Sequence, residues 1–145
     1  MSISAQKMLV AAVVTLASSA ARATPKPVDP DSLPRVECSA LRYSEAFLAK
    51  YPKAPAACLE ARVYKGETYM KAKGTVYVVD PPAMSFAFMD QFGNTLGTVT
   101  VKNPDSLRVI INGQVVSAKQ LRDDETLTFW VPESIFAAES TPTSR

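Results

Sequence analysis

Between residues 64 and 132 the chain is a regular series of short apolar stretches, each ended by turn-forming residues. Residues 84–89, MSFAFM, alternate so that every second side chain faces the same side, as in a strand with one buried face. Asn112-Gly113 is the dipeptide most typical of a two-residue β-hairpin turn. Five or six strands at this spacing predict a mainly β fold, a small closed or nearly closed barrel of the OB-like or SH3-like kind.

A helical pattern precedes these strands and lies between two cysteines. Ser44 is suited to cap a helix, the residues after it favour one, and Pro52 ends it, so we expect a short N-terminal helical cap. Cys38 and Cys58 are the only cysteines, and their spacing is that of neither a Cys-x-x-Cys redox pair nor a zinc site. We therefore predict a disulfide between them, which would stabilise the fold by about 3 kcal/mol.

The N-terminal residues have the three parts of a secretory signal peptide. Lys7 provides a positive charge, an apolar run follows, and small residues occupy the positions that signal peptidase recognises. The apolar run of about 13 residues is shorter than the roughly 20 that a membrane span requires. The residue after the predicted cleavage site is Thr24 and not a cysteine to which a lipid could be attached. We predict a signal peptide over residues 1–23, cleavage after Ala23, and a periplasmic or secreted mature chain without a stable membrane anchor.

The mature chain divides into three parts. Residues 24–34 contain four prolines and few apolar side chains, a composition typical of a semi-extended linker. Residues 35–137 carry the helical and strand patterns and are predicted to form a single β-rich domain. Residues 138–145 are small and polar and are predicted to be a disordered tail.

The composition argues against several classes of function. Removing residues 1–23 takes away two basic residues and no acidic residue, which leaves 14 of each and argues against nucleic-acid binding. The chain has no histidine, which excludes imidazole-dependent triads, H-E-x-x-H zinc proteases and histidine-ligated metals. It also has no G-x-S-x-G motif and no glycine-rich phosphate loop. We therefore expect no catalytic residues, no cofactor and no enzymatic activity.

The methionines are the residues of this chain that could form a site for a soft metal ion. Thioethers bind copper and silver, and Met70, Met84 and Met89 are the candidates. Met84 and Met89 are five residues apart on one predicted strand and therefore point to opposite faces. Because Met84 shares its face with phenylalanines, it is better explained as core filling. We predict no metal site, with a copper or silver carrier as an alternative.

Alternation also places large side chains on the outside of the sheet. In the last predicted strand Trp130 faces away from Phe129, and Tyr77 and Met89 fall on the outer face of their own strands. Tyr77, Met89 and Trp130 are therefore the candidate binding residues, forming an exposed apolar platform for a ligand or a protein partner. The alternative is that Trp130 is buried beneath Phe47 and Leu48 of the helical cap.

Residues 65–101 resemble the opening strands of oligonucleotide/oligosaccharide-binding barrels. Those barrels have a long first strand curved at a glycine, as at Gly74, and a second strand that alternates aromatic residues before a turn, as at Phe86 and Phe88 before Asp90. The resemblance covers about a quarter of the chain. It implies a small barrel of a kind that occurs among exported bacterial envelope proteins.

We predict an exported, non-enzymatic binding or protein-interaction module of the bacterial envelope or secretome, whose partner is an envelope protein or a small ligand. One alternative is an inhibitor of an envelope-directed hydrolase, which would insert the charged loop at residues 122–125 into a cleft. The other alternative is the soft-metal carrier considered above.

Overall fold

The computed structural model describes residues 26–138, and this part of the chain is mainly β, as predicted. The predicted signal peptide with its cleavage site, and residues 139–145 of the predicted tail, lie outside the described residues. Ala138, the first residue of the predicted tail, instead ends a helix. Residues 26–138 contain nine strands: β1 (Lys26–Pro27), β2 (Arg35–Val36), β3 (Glu60–Tyr64), β4 (Glu67–Val78), β5 (Met84–Met89), β6 (Thr95–Val101), β7 (Arg108–Ile111), β8 (Gln114–Ser117) and β9 (Glu125–Pro132). The helices are α1 (Glu45–Lys50), α2 (Ile135–Ala138) and the 3₁₀ turns Pro30–Ser32, Cys38–Ala40, Ala54–Ala57 and Ala118–Gln120.

The strands form one antiparallel sheet organised around β4. Its main order is β1-β8-β7-β9-β4-β3-β2, and β5 and β6 branch from β4. The first part of β4, Glu67–Lys71, pairs with β3, and the second part, Lys73–Val78, pairs with β5. Because β9 pairs with β4 along Tyr69–Val76, β3 and β5 must share the opposite edge of β4. Among the described strands the sheet is not closed, so the predicted barrel is not confirmed.

The main core lies on one face of this sheet, called here the inner face. Phe86 and Phe88 of β5 stack on Phe129 of β9, with ring centroids 6.0 and 6.4 Å apart. Phe136 of α2 packs against Phe88 at a centroid distance of 5.6 Å. These residues are all buried. The predicted alternation of β5 is therefore correct, since its phenylalanines face inward and Met89 does not.

Helix α1 lies where the sequence predicts it. The Ser44 Oγ accepts a hydrogen bond from the Phe47 N–H at 3.1 Å, and the helix ends at Lys50. Phe47 is buried in the inner-face core, where its ring would be 3.1 Å from a Cβ placed on Gly97 of β6. The predicted arrangement, in which the helix caps a barrel, is not confirmed, because α1 packs on the inner face beside β6 instead.

The predicted disulfide is present. Cys38 and Cys58 are bonded across a sequence separation of 20 residues. The bond joins the 3₁₀ turn at Cys38–Ala40 to the residue that follows the 3₁₀ turn at Ala54–Ala57. Both turns are thereby fixed to the start of β3, where the Leu59 N–H donates to the Lys71 carbonyl at 2.8 Å.

Residues 26–34, named here the strap, lie against the outer face of the sheet. Their composition predicts a linker, but β1 pairs with β8 at one end of the main sheet and β2 pairs with β3 at the other. The strap therefore crosses the sheet between these two edges. Its Val28 packs against the cluster of Tyr69, Ile110 and Trp130, and its Leu33 carbonyl accepts a hydrogen bond of 2.7 Å from Arg62 Nη1.

The β7–β8 hairpin turns at Asn112-Gly113 as predicted, with φ values of 50° and 76°. Gly113→Ala is expected to lower the free energy of unfolding by about 1 kcal/mol or more, because side chains strain this left-handed backbone. A Cβ at this position would also lie 3.1 Å from the Val28 carbonyl oxygen in the strap. Urea unfolding followed by circular dichroism measures the change.

Gly66→Ala is the matched control. Gly66 also has a positive φ, of 79°, but no heavy atom lies within 4 Å of the position that an added methyl group would occupy. Gly113→Ala should therefore cost more than Gly66→Ala. Equal costs would mean that the strap does not press on this turn, and a neutral Gly113→Ala would contradict the hairpin.

Candidate functional site

The three predicted binding residues share the outer face, as alternation indicates. Along β4 Trp130 lies opposite Lys71, and Met89 lies opposite Lys73 on the other side of the strand. Tyr77 is four residues beyond Lys73, a distance of about 13 Å along the strand. Met89 and Trp130 therefore lie on opposite sides of β4 and two register positions apart, and Tyr77 lies further along the strand.

Trp130 is not exposed, and that prediction is wrong. Only 6% of its surface is accessible, because it packs with Ile110 and Tyr69 in a cluster that Val28 of the strap helps to cover. The alternative, burial beneath Phe47 and Leu48 of α1, is also wrong, since Phe47 belongs to the inner-face core and neither residue is part of the cluster that contains Trp130. Alternation predicts which face Trp130 occupies but does not indicate that the N-terminal segment covers it. The three residues therefore do not form an exposed platform.

Met89 instead lines a surface groove with two apolar residues that are strongly exposed. The groove has a volume of about 440 Å³ and lies where β3 and β5 meet along the edge of β4. Leu59 is 56% exposed and Phe92 is 78% exposed, the two highest values among the large exposed apolar side chains of residues 26–138. The lining residues, which define the Phe92 groove, are Ala56, Leu59, Lys73, Met89, Asp90, Gln91, Phe92 and Thr128.

The turn that carries Phe92 is held by Asp90. One carboxylate oxygen of Asp90 accepts hydrogen bonds of 2.9 Å from the backbone N–H groups of Phe92 and Asn94. The other oxygen accepts from the Asn94 side-chain amide at 3.0 Å. The bonds from Asn94, the side-chain bond first, hold the pKa of the Asp90 carboxyl below its usual value, because they favour the ionised form. Phe92 is thus displayed on an ordered turn.

The opposite wall of the groove is fixed by the disulfide. Leu59 directly follows Cys58, and Ala56 belongs to the 3₁₀ turn that Cys58 ends. At the base of the groove Lys73 lies between Thr128 of β9 and Met89 of β5. The groove therefore presents two apolar walls and one cation between two firmly attached segments.

Sequence reasoning misses both Leu59 and Phe92. Phe92 lies in a segment predicted to be a turn, where an apolar ring has no neighbouring strand to pack against. An aromatic residue among the polar residues of a turn is therefore the signal that could have found it. Leu59 stands between a disulfide cysteine and a strand, and nothing in the sequence distinguishes it from a core residue.

The residues proposed for the two alternative functions, a soft-metal carrier and a hydrolase inhibitor, are arranged less favourably for those functions than the groove residues are for binding. Met70 and Met84 are buried in the inner-face core, whereas Met89 lies on the outer face, so the three thioethers do not meet. Within residues 26–138 no group of three His, Cys, Asp or Glu side chains is arranged to hold a metal ion.

The charged loop at residues 122–125 is tied to the end of β4. Asp123 Oδ1 accepts from the Val78 N–H at 2.8 Å, and the Asp124 N–H donates to the Val76 carbonyl. The Arg122 N–H donates to the Glu125 carboxylate at 3.0 Å. These bonds give no support to a loop that inserts into an enzyme's cleft.

Comparison with protein-family models, with curated proteins and with solved structures found no significant match to this chain. Among the helices of residues 26–138, none is both long enough and apolar enough to cross a membrane.

Proposed function

We propose that the protein is an exported, non-enzymatic interaction module that binds a partner protein of the bacterial envelope through the Phe92 groove. The observation that carries this proposal is that Leu59 and Phe92, the two most exposed large apolar residues of the described part, flank the same groove. Exposed apolar side chains grouped in this way mark interaction sites, and aromatic residues dominate the binding energy of many interfaces.

The lining of the groove indicates the chemistry of the partner. Apolar contacts from Leu59, Met89 and Phe92 suit one or two apolar side chains of a protein segment. Lys73 forms no ion pair with any residue in 26–138, whereas both oxygens of Asp90 are engaged in its own turn. The segment that fits is therefore one in which an acidic residue lies next to an apolar residue.

Export is the second part of the proposal. The predicted signal peptide supplies the route, and the Cys38–Cys58 disulfide is typical of proteins that fold in an oxidising compartment such as the periplasm. The partner that binds the Phe92 groove is therefore expected to be a protein of that same oxidising compartment.

Phe92→Ser and Leu59→Ser are each expected to lower recovery of the partner by about tenfold or more, as for residues central to an interface. Neither change should alter the free energy of unfolding by more than about 0.5 kcal/mol, because both side chains are exposed. The measurement is quantitative mass spectrometry of proteins that copurify with the exported chain from the envelope fraction.

Tyr77→Ser is the matched control, since Tyr77 is also an exposed outer-face residue, at 40%, but does not line the groove. A partner is a protein whose recovery falls with both groove variants and is unchanged with the control. If no copurifying protein shows this pattern, the proposal is wrong.

A further inference from the structure

Another concave site lies on the outer face, at the end of the sheet where β3 turns into β4. It has a volume of about 360 Å³ and shares no lining residue with the Phe92 groove. Its lining combines two aromatic rings, one aliphatic side chain, two cations and one carboxylate. The residues, which define the tyrosine pocket, are Tyr64, Lys65, Glu67, Tyr69, Arg108 and Val115.

Two tyrosine rings form the apolar part of the tyrosine pocket. Tyr69 is buried in the cluster with Ile110 and Trp130, against which Tyr64 and Val115 pack. The rings of Tyr64 and Tyr69 meet edge to face, with centroids 5.9 Å apart. A ligand in the pocket would therefore meet a fixed aromatic surface, and not side chains that must first be ordered.

A tight turn sets the position of the carboxylate. Lys65 and Gly66 connect β3 to β4 with φ values of 51° and 79°, which is the geometry of a two-residue hairpin turn. The strand register then places Glu67 directly opposite Tyr64. Lys65 Nζ lies 5.6 Å from the centroid of the Tyr64 ring. Glu67 is thus held beside the aromatic surface by the backbone of the hairpin.

Arg108 reaches the pocket from the other side. The register of β7 with β9 continues to Arg108 opposite Pro132, and Pro132 lies opposite Tyr69 on β4. The backbones at Arg108 and Tyr69 are therefore two strand spacings apart, about 10 Å. Arg108 Nη1 donates to the Asp105 carbonyl at 3.0 Å, and a guanidinium has five N–H donors, so others are left for a ligand.

Glu67 and Arg108 bring opposite charges to the same phenol. Burial first, and then the Glu67 carboxylate, raise the pKa of Tyr69, whereas the nearby Arg108 lowers it. Neither Glu67 nor Arg108 forms an ion pair with any residue in 26–138. A ligand that satisfies both must present a cationic donor to Glu67 and an anionic acceptor to Arg108, since charge-assisted hydrogen bonds are the stronger kind.

We propose that the tyrosine pocket binds a free α-amino acid with an apolar side chain. Glu67 binds the ammonium group, Arg108 binds the carboxylate, and the side chain lies against the rings of Tyr64 and Tyr69. A largely apolar surface with a few polar groups that fix orientation is typical of small-molecule sites. The site is separate from the Phe92 groove and does not rest on the function proposed for that groove.

The test is a titration of the isotope-labelled full chain with L-phenylalanine, in which the backbone amide signals of Gly66 and Val115 are followed by NMR. Two matched ligands separate the charges. N-acetyl-L-phenylalanine lacks the ammonium group, and L-phenylalanine amide lacks the carboxylate. We expect saturable shifts with L-phenylalanine and binding of each derivative that is weaker by about tenfold or more.

Glu67→Gln and Arg108→Gln assign each charge to its residue. Each substitution should weaken the binding of L-phenylalanine by about tenfold. Glu67→Gln should leave the affinity for N-acetyl-L-phenylalanine unchanged, because that ligand has no ammonium group to lose. Arg108→Gln should likewise leave the affinity for the amide unchanged. Lys119→Gln, which removes an exposed cation outside the pocket, is the control and should bind all three ligands as the unsubstituted chain does.

Three results would overturn the proposal. The first is the absence of saturable shifts up to about 10 mM L-phenylalanine. The second is equal affinity of the unsubstituted chain for the three ligands, a comparison that does not depend on any variant folding. The third is an equal loss of affinity for all three ligands in Glu67→Gln, which would mean that the carboxylate supports the pocket and does not bind the ammonium group.

Discussion

Trp130→Ala is expected to lower the free energy of unfolding by about 3 to 5 kcal/mol, the largest effect among the single substitutions considered. The indole is almost fully buried between β7, β4 and the strap, so its removal leaves a cavity in the Trp130 cluster. It also removes the support against which Val28 packs. Urea unfolding followed by circular dichroism measures the change without relying on tryptophan emission.

Tyr77→Ala is the control for that experiment, because Tyr77 is an aromatic residue of the same face that is 40% exposed, against 6% for Trp130. It should cost less than about 1 kcal/mol. If Trp130→Ala costs as little as Tyr77→Ala, the outer face is open and the strap does not cover it.

Loss of the Cys38–Cys58 disulfide is expected to lower the free energy of unfolding by about 3 kcal/mol, since the bond closes a loop of 20 residues. For a domain of about 100 residues this corresponds to a fall in melting temperature of more than about 10 °C. Thermal unfolding of the oxidised and the reduced protein measures the difference. The double variant Cys38→Ala, Cys58→Ala is the control, and reductant should not change its melting temperature.

The bond also bears on the Phe92 groove, since it fixes Cys58 next to Leu59. Reduction is therefore expected to weaken partner binding even at temperatures where the domain stays folded. Thiol labelling of the native protein before any reduction would contradict the disulfide itself.

The features that the sequence predicts correctly are those with local causes. The Asn112-Gly113 turn follows from two residues that tolerate positive φ, and helix α1 follows from the Ser44 cap and Pro52. The disulfide follows from there being two cysteines in a chain that is predicted to be exported. None of these depends on which strands become neighbours.

The openness of the sheet and the position of the strap depend on contacts between distant residues. Nothing in the sequence of β4 indicates that β3 and β5 both pair with the same edge. The strap has the composition of a linker, because it is rich in proline and poor in apolar residues. Its attachment uses backbone groups and the single side chain of Val28, and composition cannot reveal either contact.

In the candidate site, too, the sequence predicts the features with local causes and not those that depend on contacts between distant residues. Alternation correctly assigns Trp130, Tyr77 and Met89 to one face, because side-chain direction along a strand is a local property. Exposure depends on what covers that face, and there the prediction for Trp130 fails. The candidate site lies instead at Phe92 and Leu59, which come together only because β3 and β5 meet along β4.

Site-specific photocrosslinking from position 92 tests the proposed function most directly. A benzophenone amino acid replaces Phe92 in the exported chain, and the same amino acid at position 77 serves as the control. We predict a discrete adduct with one envelope protein from position 92, lost when Leu59→Ser is added and not formed from position 77. The absence of an adduct from position 92, or the same adducts from both positions, would contradict the proposal that the Phe92 groove binds a protein partner.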